Sequence, residues 1–258
     1  MSINYDYIIA AVKNLYPNAD SAELTCLDFG CGAGQVVDKG MRAGLNYHGA
    51  DPYPESRSEH YEIAAEKNAV LKEHIHKIEN DTLPFPDDHF DVVTSNVVFE
   101  HIADLSQPLA EIHRVLKPEG HFLALFPTRD TWWEGHVKLY FAHWLNPPSK
   151  TSHLFLKAAK SLGLGLKSEE PSPEAWANRY KHYLHEYCFY RPMKEVKSLW
   201  LNAFGKAPEN KAYDYMIFRF SKSSKLRKLL PALKTPLGRF VLEQACRIRS
   251  GRVLLVKK

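Results

Sequence analysis

Leu27-Asp28-Phe29-Gly30-Cys31-Gly32-Ala33-Gly34 is the stretch that decides the fold. The apolar run it closes, residues 24–29, is too short for a helix and ends abruptly in glycines, which reads as a buried parallel strand. Gly30, Gly32 and Gly34 let the backbone take positive φ and pass close beneath whatever lies above it. Gln35–Arg42 follows with helical character, and Gly44 is placed to end that helix. The octet is therefore the turn between a strand and a helix.

Outward from this turn the alternation continues. Strands are expected at 46–50, 90–95 and 121–126. Leu105, Leu109, Ile112 and Leu116 recur at helical spacing, and Lys117-Pro118-Glu119-Gly120 ends that helix. Residues 53–80 are charged and weakly periodic, and are expected to form a helix and then a short strand. Strand alternating with helix implies an α/β protein with a mostly parallel sheet and helices on both faces.

A helix that starts at a glycine turn offers unpaired N–H groups to a polar ligand. Asp51 falls 17 residues after Gly34, at the end of the next strand, where a carboxylate can accept both hydroxyls of a ribose. The plain alternative is a tight turn that merely needs glycines. The preceding strand, the following helix and the spaced acid together favour an adenosine-containing cofactor. The spacing is G-x-G-x-G, without the third glycine of a dinucleotide-binding turn.

The octet resembles the first motif of class I S-adenosylmethionine (SAM)-dependent methyltransferases. Leu83-Pro84-Phe85-Pro86-Asp87-Asp88-His89-Phe90-Asp91-Val92-Val93 resembles the fourth-strand signature of their quinone-methyltransferase-like branch (methyltransferase type 11). Phe99-Glu100-His101-Ile102 and Glu111-Ile112-His113-Arg114-Val115-Leu116-Lys117-Pro118-Glu119-Gly120 follow in the same order. Glu119 stands where the branch usually has glycine, a change in a surface turn. The resemblance covers residues 23–127 and implies a Rossmann-like, seven-stranded sheet and SAM as cofactor, leaving as S-adenosylhomocysteine. It further implies that Gly30, Cys31 and Gly32 line the methionine moiety, with Asp28 supporting the turn. Asp51 would hold the ribose, and Pro52 and Tyr53 would flank the adenine. Asn80 and Asp81 would meet the adenine amine, and Ser95 and Asn96 would present backbone to the amino-acid end. Glu100-His101 is read as a contact of the fold rather than as catalytic.

The rest of such a fold is found late in the chain, as a helix at Met193–Phe204 and strands at 213–218 and 252–256. Residues 1–127 are then the SAM-binding core, and 128–191 a mostly helical insertion after the fifth strand. Residues 192–258 complete the core around a basic insertion at 219–249. The first insertion leaves from the carboxyl edge of the sheet, where open α/β folds bind ligands, and is expected to be a lid or substrate wall. It holds Trp132-Trp133-Glu134-Gly135-His136 and His143-Trp144. Methyl transfer to a hydroxyl needs alignment and removal of a proton. His136 or His143 is the candidate base, with Glu134 orienting it, against the alternative that all three are core residues. His182-x-x-His185-Glu186 has helical metal-ligand spacing but no third ligand, so no metal is expected. Tyr180, Tyr183, Tyr187 and Tyr190 read as the packed side of that helix.

Charge divides the chain where the motifs stop. Residues 1–127 carry 9 basic and 20 acidic side chains, and residues 128–258 carry 25 basic and 10 acidic. Leu226, Leu229, Leu230, Leu233 and Leu237 are interleaved with Lys225, Arg227, Lys228, Lys234 and Arg239. Such a stretch can dock on an anionic membrane surface, hold a phosphorylated acceptor or RNA, or be a solvated face. The acceptor class expected is a hydroxyl of a small molecule, glycan or lipid-linked compound. A nucleic-acid methyltransferase is the alternative, disfavoured by the absence of an RNA-binding signature, and a non-catalytic SAM-binding protein is the third reading. No apolar run approaches the ~20 residues of a membrane span, and residues 1–12, with Asp6 ahead of a short apolar run and no cleavage-like site after it, are not expected to be a signal peptide. The four cysteines show no framework spacing. A cytoplasmic location, with or without peripheral membrane contact, is expected.

Overall fold

The computed structural model describes residues 3–53 and 73–258. In chain order the elements are α1 (Ile3–Leu15), β1 (Thr25–Phe29), α2 (Gln35–Arg42), β2 (Asn46–Asp51), β3 (Ile75–Lys77), β4 (Phe90–Asn96), α3 (Ser106–Val115) and β5 (Leu116–Phe126). An insertion follows, with β6 (Trp133–Glu134), β7 (Leu139–Tyr140), α4 (Lys150–Ser161) and α5 (Pro173–Glu186). The chain then runs through α6 (Met193–Phe204), β8 (Glu209–Asn210), α7 (Ala212–Ser221), α8 (Leu230–Leu233), α9 (Pro236–Arg249) and β9 (Arg252–Lys257). The helix expected before β3 lies outside the described residues.

One seven-stranded sheet has the order β3-β2-β1-β4-β5-β9-β8. The first five strands are parallel, and β9 runs antiparallel to both β5 and β8. The order reverses between β1 and β4, so the carboxyl ends of those two strands open the crevice where a ligand fits. Side chains alternate between two cores, as a sheet buried on both faces requires. Leu123, Leu125, Val253 and Leu255 join α1, α2, α7 and α9 on one face. Phe122, Phe126, Leu254 and Val256 join α3 and α6 on the other. There Trp200 of α6, wholly buried, stacks on Phe122 and Phe126 with centroids 5.9 Å from each.

Two sequence expectations are corrected. Residues 213–218 are not a strand but part of α7, and the sixth strand is the two-residue pair Glu209–Asn210. The alternating Tyr213, Tyr215 and Ile217 imitate a strand, but Ala212, Tyr215 and Met216 are the buried set, one face of a helix. Tyr215 meets Tyr7 of α1 edge-on at 5.0 Å. Short apolar runs do not separate the two periods. Likewise, α3 stops at Val115 and Leu116 already pairs with Phe90. Lys117-Pro118-Glu119-Gly120 is an excursion within β5, since the next register pair is Val92 with His121. Glu119 supplies the positive φ of 68° at that bulge.

The insertion has its own apolar cluster, in which Leu156 of α4 and Trp176 and Leu184 of α5 pack with Val137 and Leu139 of the β6–β7 hairpin. α4 and α5 are each capped by a serine, Ser149 and Ser172, whose hydroxyl accepts from the backbone N–H three residues on.

Candidate functional site

The glycine turn is fastened to the end of β2. Gly30 and Cys31 donate their N–H groups to the Ala50 carbonyl at 2.8 and 3.2 Å. Gly30 has φ +75°, and a Cβ there would lie 2.5 Å from Val98, so both its conformation and its space demand glycine. Asp51 ends β2 and accepts the Gly32 N–H on one carboxylate oxygen and the Tyr53 N–H on the other, each at 3.0 Å. The Tyr53 hydroxyl donates to the Gly32 carbonyl at 2.6 Å. Carboxylate, glycine turn and tyrosine are thus one hydrogen-bonded unit at the carboxyl edge.

Asp28 is buried beneath the turn and accepts the Thr94 hydroxyl at 3.0 Å, while Tyr47 lies 2.7 Å from the same hydroxyl. Burial pushes the Asp28 carboxyl up to about 7, and a cationic ligand group nearby would favour its ionised form. At the end of β4 the Ser95 hydroxyl is buried and has no partner among the described residues. Asn96 accepts the Asn4 amide at 2.9 Å, which ties α1 over the same edge. Asn80 and Asp81 form an exposed left-handed turn, φ 51° and 54°, closed by a bridge between Glu79 and Thr82. Pro52 is exposed and Tyr53 buried. A cradle without room for a side chain, an oriented carboxylate and an orphaned hydroxyl fit an adenosine cofactor with a polar tail.

The insertion carries a second set of polar groups. Glu134 is wholly buried on β6. It accepts from His136 Nδ1 at 2.6 Å, from the Tyr190 hydroxyl at 2.5 Å and from the Val137 N–H at 2.6 Å. Burial opposes its charge, but the bonds from His136, Tyr190 and Val137 hold it below the usual carboxylate range. His136 Nε2 lies 3.1 Å from His101 Nε2, and His101 Nδ1 lies 2.6 Å from the Tyr187 carbonyl. Carboxylate and carbonyl can only accept, so both Nδ1 atoms carry hydrogen. One proton then lies between the two Nε2 atoms. Burial disfavours a charged ring, but the Cys188 sulfur and Glu134 together outweigh it and push His136 up to about 11.

A strap holds this set against the end of β4. Phe189 N–H donates to the Glu100 carbonyl at 2.6 Å. Arg191, 8% exposed, donates to the carbonyls of Phe99, Ile102, Ala103 and Phe189 at 2.6–3.2 Å.

His143 stands apart from His136. Its Nε2 faces the Arg129 carbonyl at 3.3 Å, and its Nδ1 is buried with no partner among the described residues. Burial lowers its pKa, so the ring is neutral. His143 lines a cavity of about 230 Å³ together with Arg129, Asn146, Leu184, Cys188 and Tyr190. Tyr190 joins the two groups, its ring 4.4 Å from that of His143 and its hydroxyl on Glu134. His185 is half exposed and reaches Glu186 at 3.6 Å, while Tyr180, Tyr183 and Tyr190 pack on the insertion core.

The structure thus gathers Asp28, Gly30, Cys31, Gly32 and Asp51 at one turn, and Glu134 with His136 at another. Sequence reasoning gave no site role to Cys188, read His101 as a contact of the fold, and read Tyr190 as the packed side of a helix that in fact ends at Glu186. His101 was visible within Phe99-Glu100-His101-Ile102 but had no partner to suggest itself, because its partners lie 35 and more residues away.

Residues 27–124 match the family model described as a methyltransferase domain. The chain is 33% identical over 122 residues to the ubiquinone biosynthesis O-methyltransferase of Rickettsia prowazekii, covering 46% of this chain and 45% of that one. It is 29% identical over 195 residues to the sterol 4-C-methyltransferase strm-1 of Caenorhabditis elegans, covering 69% and 56%. The chain spans about half the length of the curated relatives it matches. A solved S-adenosylmethionine-dependent methyltransferase from Mesorhizobium loti superposes with a TM-score of 0.55 at 14% identity, over 98% of this chain and 100% of that one. That likeness is one of fold.

Proposed function

We propose that the whole chain, whose residues 27–124 match a methyltransferase domain, transfers a methyl group from SAM to a hydroxyl of a small-molecule acceptor held by the insertion. SAM, when bound, supplies an electrophilic methyl on a sulfonium. The protein must therefore align the acceptor and accept its proton. The Gly30–Gly32 turn and Asp28 would face the amino-acid end of SAM and Asp51 its ribose. Pro52, Tyr53, Asn80 and Asp81 would stand on the adenine side, and Ser95 and Asn96 beside the methionine.

Of the two candidate bases, the geometry favours His143. His136 already shares a proton with His101 and is held charged by Glu134, so it is a poor proton acceptor at neutral pH. His143 is neutral, has an unpartnered Nδ1 and lines a cavity. That combination is the observation that carries the assignment. Arg129 in the same wall suits an acceptor with anionic character. Glu134 then acts through Tyr190 and His136 as a positioning residue.

The test is a screen of phenolic, sugar and polyprenyl-linked hydroxyl compounds for S-adenosylhomocysteine release, followed by His143→Ala on the best acceptor. Turnover is expected to drop about 10²–10⁴-fold with SAM binding unchanged. Undiminished turnover would remove His143 from the role of base. A lipid-linked acceptor is the second reading, favoured by the exposed apolar side chains of α9, Leu237, Phe240 and Val241.

A further inference from the structure

His101, His136 and Cys188 bring one ligand atom each within 4.8 Å of one another. They come from three separate places: the 3-10 turn after β4, the β6–β7 hairpin and the strap after α5. His101 and His136 are each held by a contact of their own, and Cys188 Sγ lies 3.9 Å from His136 Nδ1. His101 Nδ1 is bound to the Tyr187 carbonyl and His136 Nδ1 to Glu134, so in both rings Nε2 is the atom turned to the other. A metal-bound imidazole is oriented in this way, by a carboxylate or carbonyl on the far nitrogen.

Glu100 is a second and independent sign. It is 1% exposed, and neither carboxylate oxygen has a partner among the described residues. It precedes His101 in the chain, and its charge acts on His136 and Cys188. A buried carboxyl group with no hydrogen-bond partner is costly, and a cation in its neighbourhood would give it one.

We infer that His101 Nε2, His136 Nε2 and Cys188 Sγ form a binding site for a divalent transition metal of the zinc class, with the buried Glu100 carboxyl nearby. Two imidazoles and a thiolate suit such a borderline-soft ion better than magnesium or calcium. At Zn–N distances of about 2.0–2.1 Å, two tetrahedral ligand nitrogens stand roughly 3.3 Å apart, close to the 3.1 Å seen between the two Nε2 atoms. Cys188 Sγ, which lies 3.9 Å from His136 Nδ1, has to swing towards the Nε2 side of that ring to reach a Zn–S distance of about 2.3 Å. On binding, the proton shared by the two Nε2 atoms leaves to solvent, and so does the Cys188 thiol proton. Glu134 remains on His136 Nδ1–H as the orienting carboxylate. Cys188 also lines the cavity that holds His143, so the ion would lie in the wall of that cavity. The site stands on these side chains alone and does not depend on the identity of the acceptor.

The experiment uses the full chain stripped with a chelator and titrated with Zn²⁺ or Co²⁺. One equivalent is expected to bind, with release of about two protons, read by calorimetry in buffers of different ionisation enthalpy. Co²⁺ should give a thiolate-to-metal charge-transfer band in the near ultraviolet. Cys188→Ser should abolish that band, and His101→Gln with His136→Gln should weaken binding at least 100-fold. SAM binding, measured on each variant, reports whether it is folded. His89→Gln, just before β4 and so at the opposite end of that strand from the 99–101 turn, should change nothing. Failure of the unmutated protein to bind either ion, or a Co²⁺ spectrum that survives Cys188→Ser, overturns the site.

Discussion

At the scale of single residues, Asp51 anchors the fold at the place proposed for the ribose of the cofactor. Its oxygens are fixed by the N–H groups of Gly32 and Tyr53, so the glycine turn and the end of β2 share one anchor. Asp51→Ala removes that anchor and the acceptor for a ribose. SAM affinity is expected to fall at least 100-fold, since two hydrogen bonds to a charged group contribute about 1.5–3 kcal/mol each. Calorimetry checks this, and unchanged affinity would contradict the placement of the cofactor. The placement of Asp51 and the glycines was legible in the sequence because it is local, lying in spacing within one strand–turn–helix–strand unit. His101 was not, because nothing nearby in the chain states that it meets His136. Its role is set by a strap more than 80 residues further on.

At the scale of elements, legibility followed the clarity of the period. α2 and α6 agree with the sequence reading to the residue, because glycines or proline stand at their ends. α7 was misread because its apolar residues surround it: Tyr213, Ile217, Phe218 and Phe220 are partly buried beside the fully buried face. The fold of the insertion could not be read from sequence, since its hairpin strands have only two residues each. What joins it to the core is the strap centred on Arg191, whose guanidinium serves four carbonyls. Arg191→Met keeps the apolar stem and leaves those carbonyls without their donor. A loss of about 2–4 kcal/mol is expected, read as a lower denaturant midpoint. Because the 99–103 turn is no longer held, acceptor KM should suffer more than SAM affinity. A stability within about 0.5 kcal/mol of the unmutated protein would show that the strap is held elsewhere.

At the scale of the whole molecule, the charge division follows the order of elements along the chain. The acidic half contains the glycine turn and Asp51, while the basic half contains the insertion, α7, α8 and α9. No helix among the described residues is long and apolar enough to cross a membrane. Yet Leu237, Phe240 and Val241 are 73, 59 and 48% exposed, with Leu226 and Leu229 at 40 and 51%. Lys225, Arg227, Lys228, Lys234 and Arg239 are exposed among them. Exposed apolar and basic side chains in one segment match the boundary of an anionic bilayer, where each basic residue contributes about 1 kcal/mol and the buried apolar groups add to it. RNA would use the lysines and arginines but leave Leu237 and Phe240 in water. The full chain is therefore expected to sediment with vesicles of mixed phosphatidylcholine and phosphatidylglycerol and not with phosphatidylcholine alone. Leu237→Asp with Phe240→Asp should weaken that binding about 100-fold, since each side chain contributes roughly 1.5–3 kcal/mol when buried. Raising salt should weaken it further by screening the basic residues. Binding that responds to salt but not to the two substitutions would make the surface purely electrostatic and shift the balance towards a polyanionic partner. No binding to either vesicle would confine the acceptor to molecules that diffuse to the cavity from water.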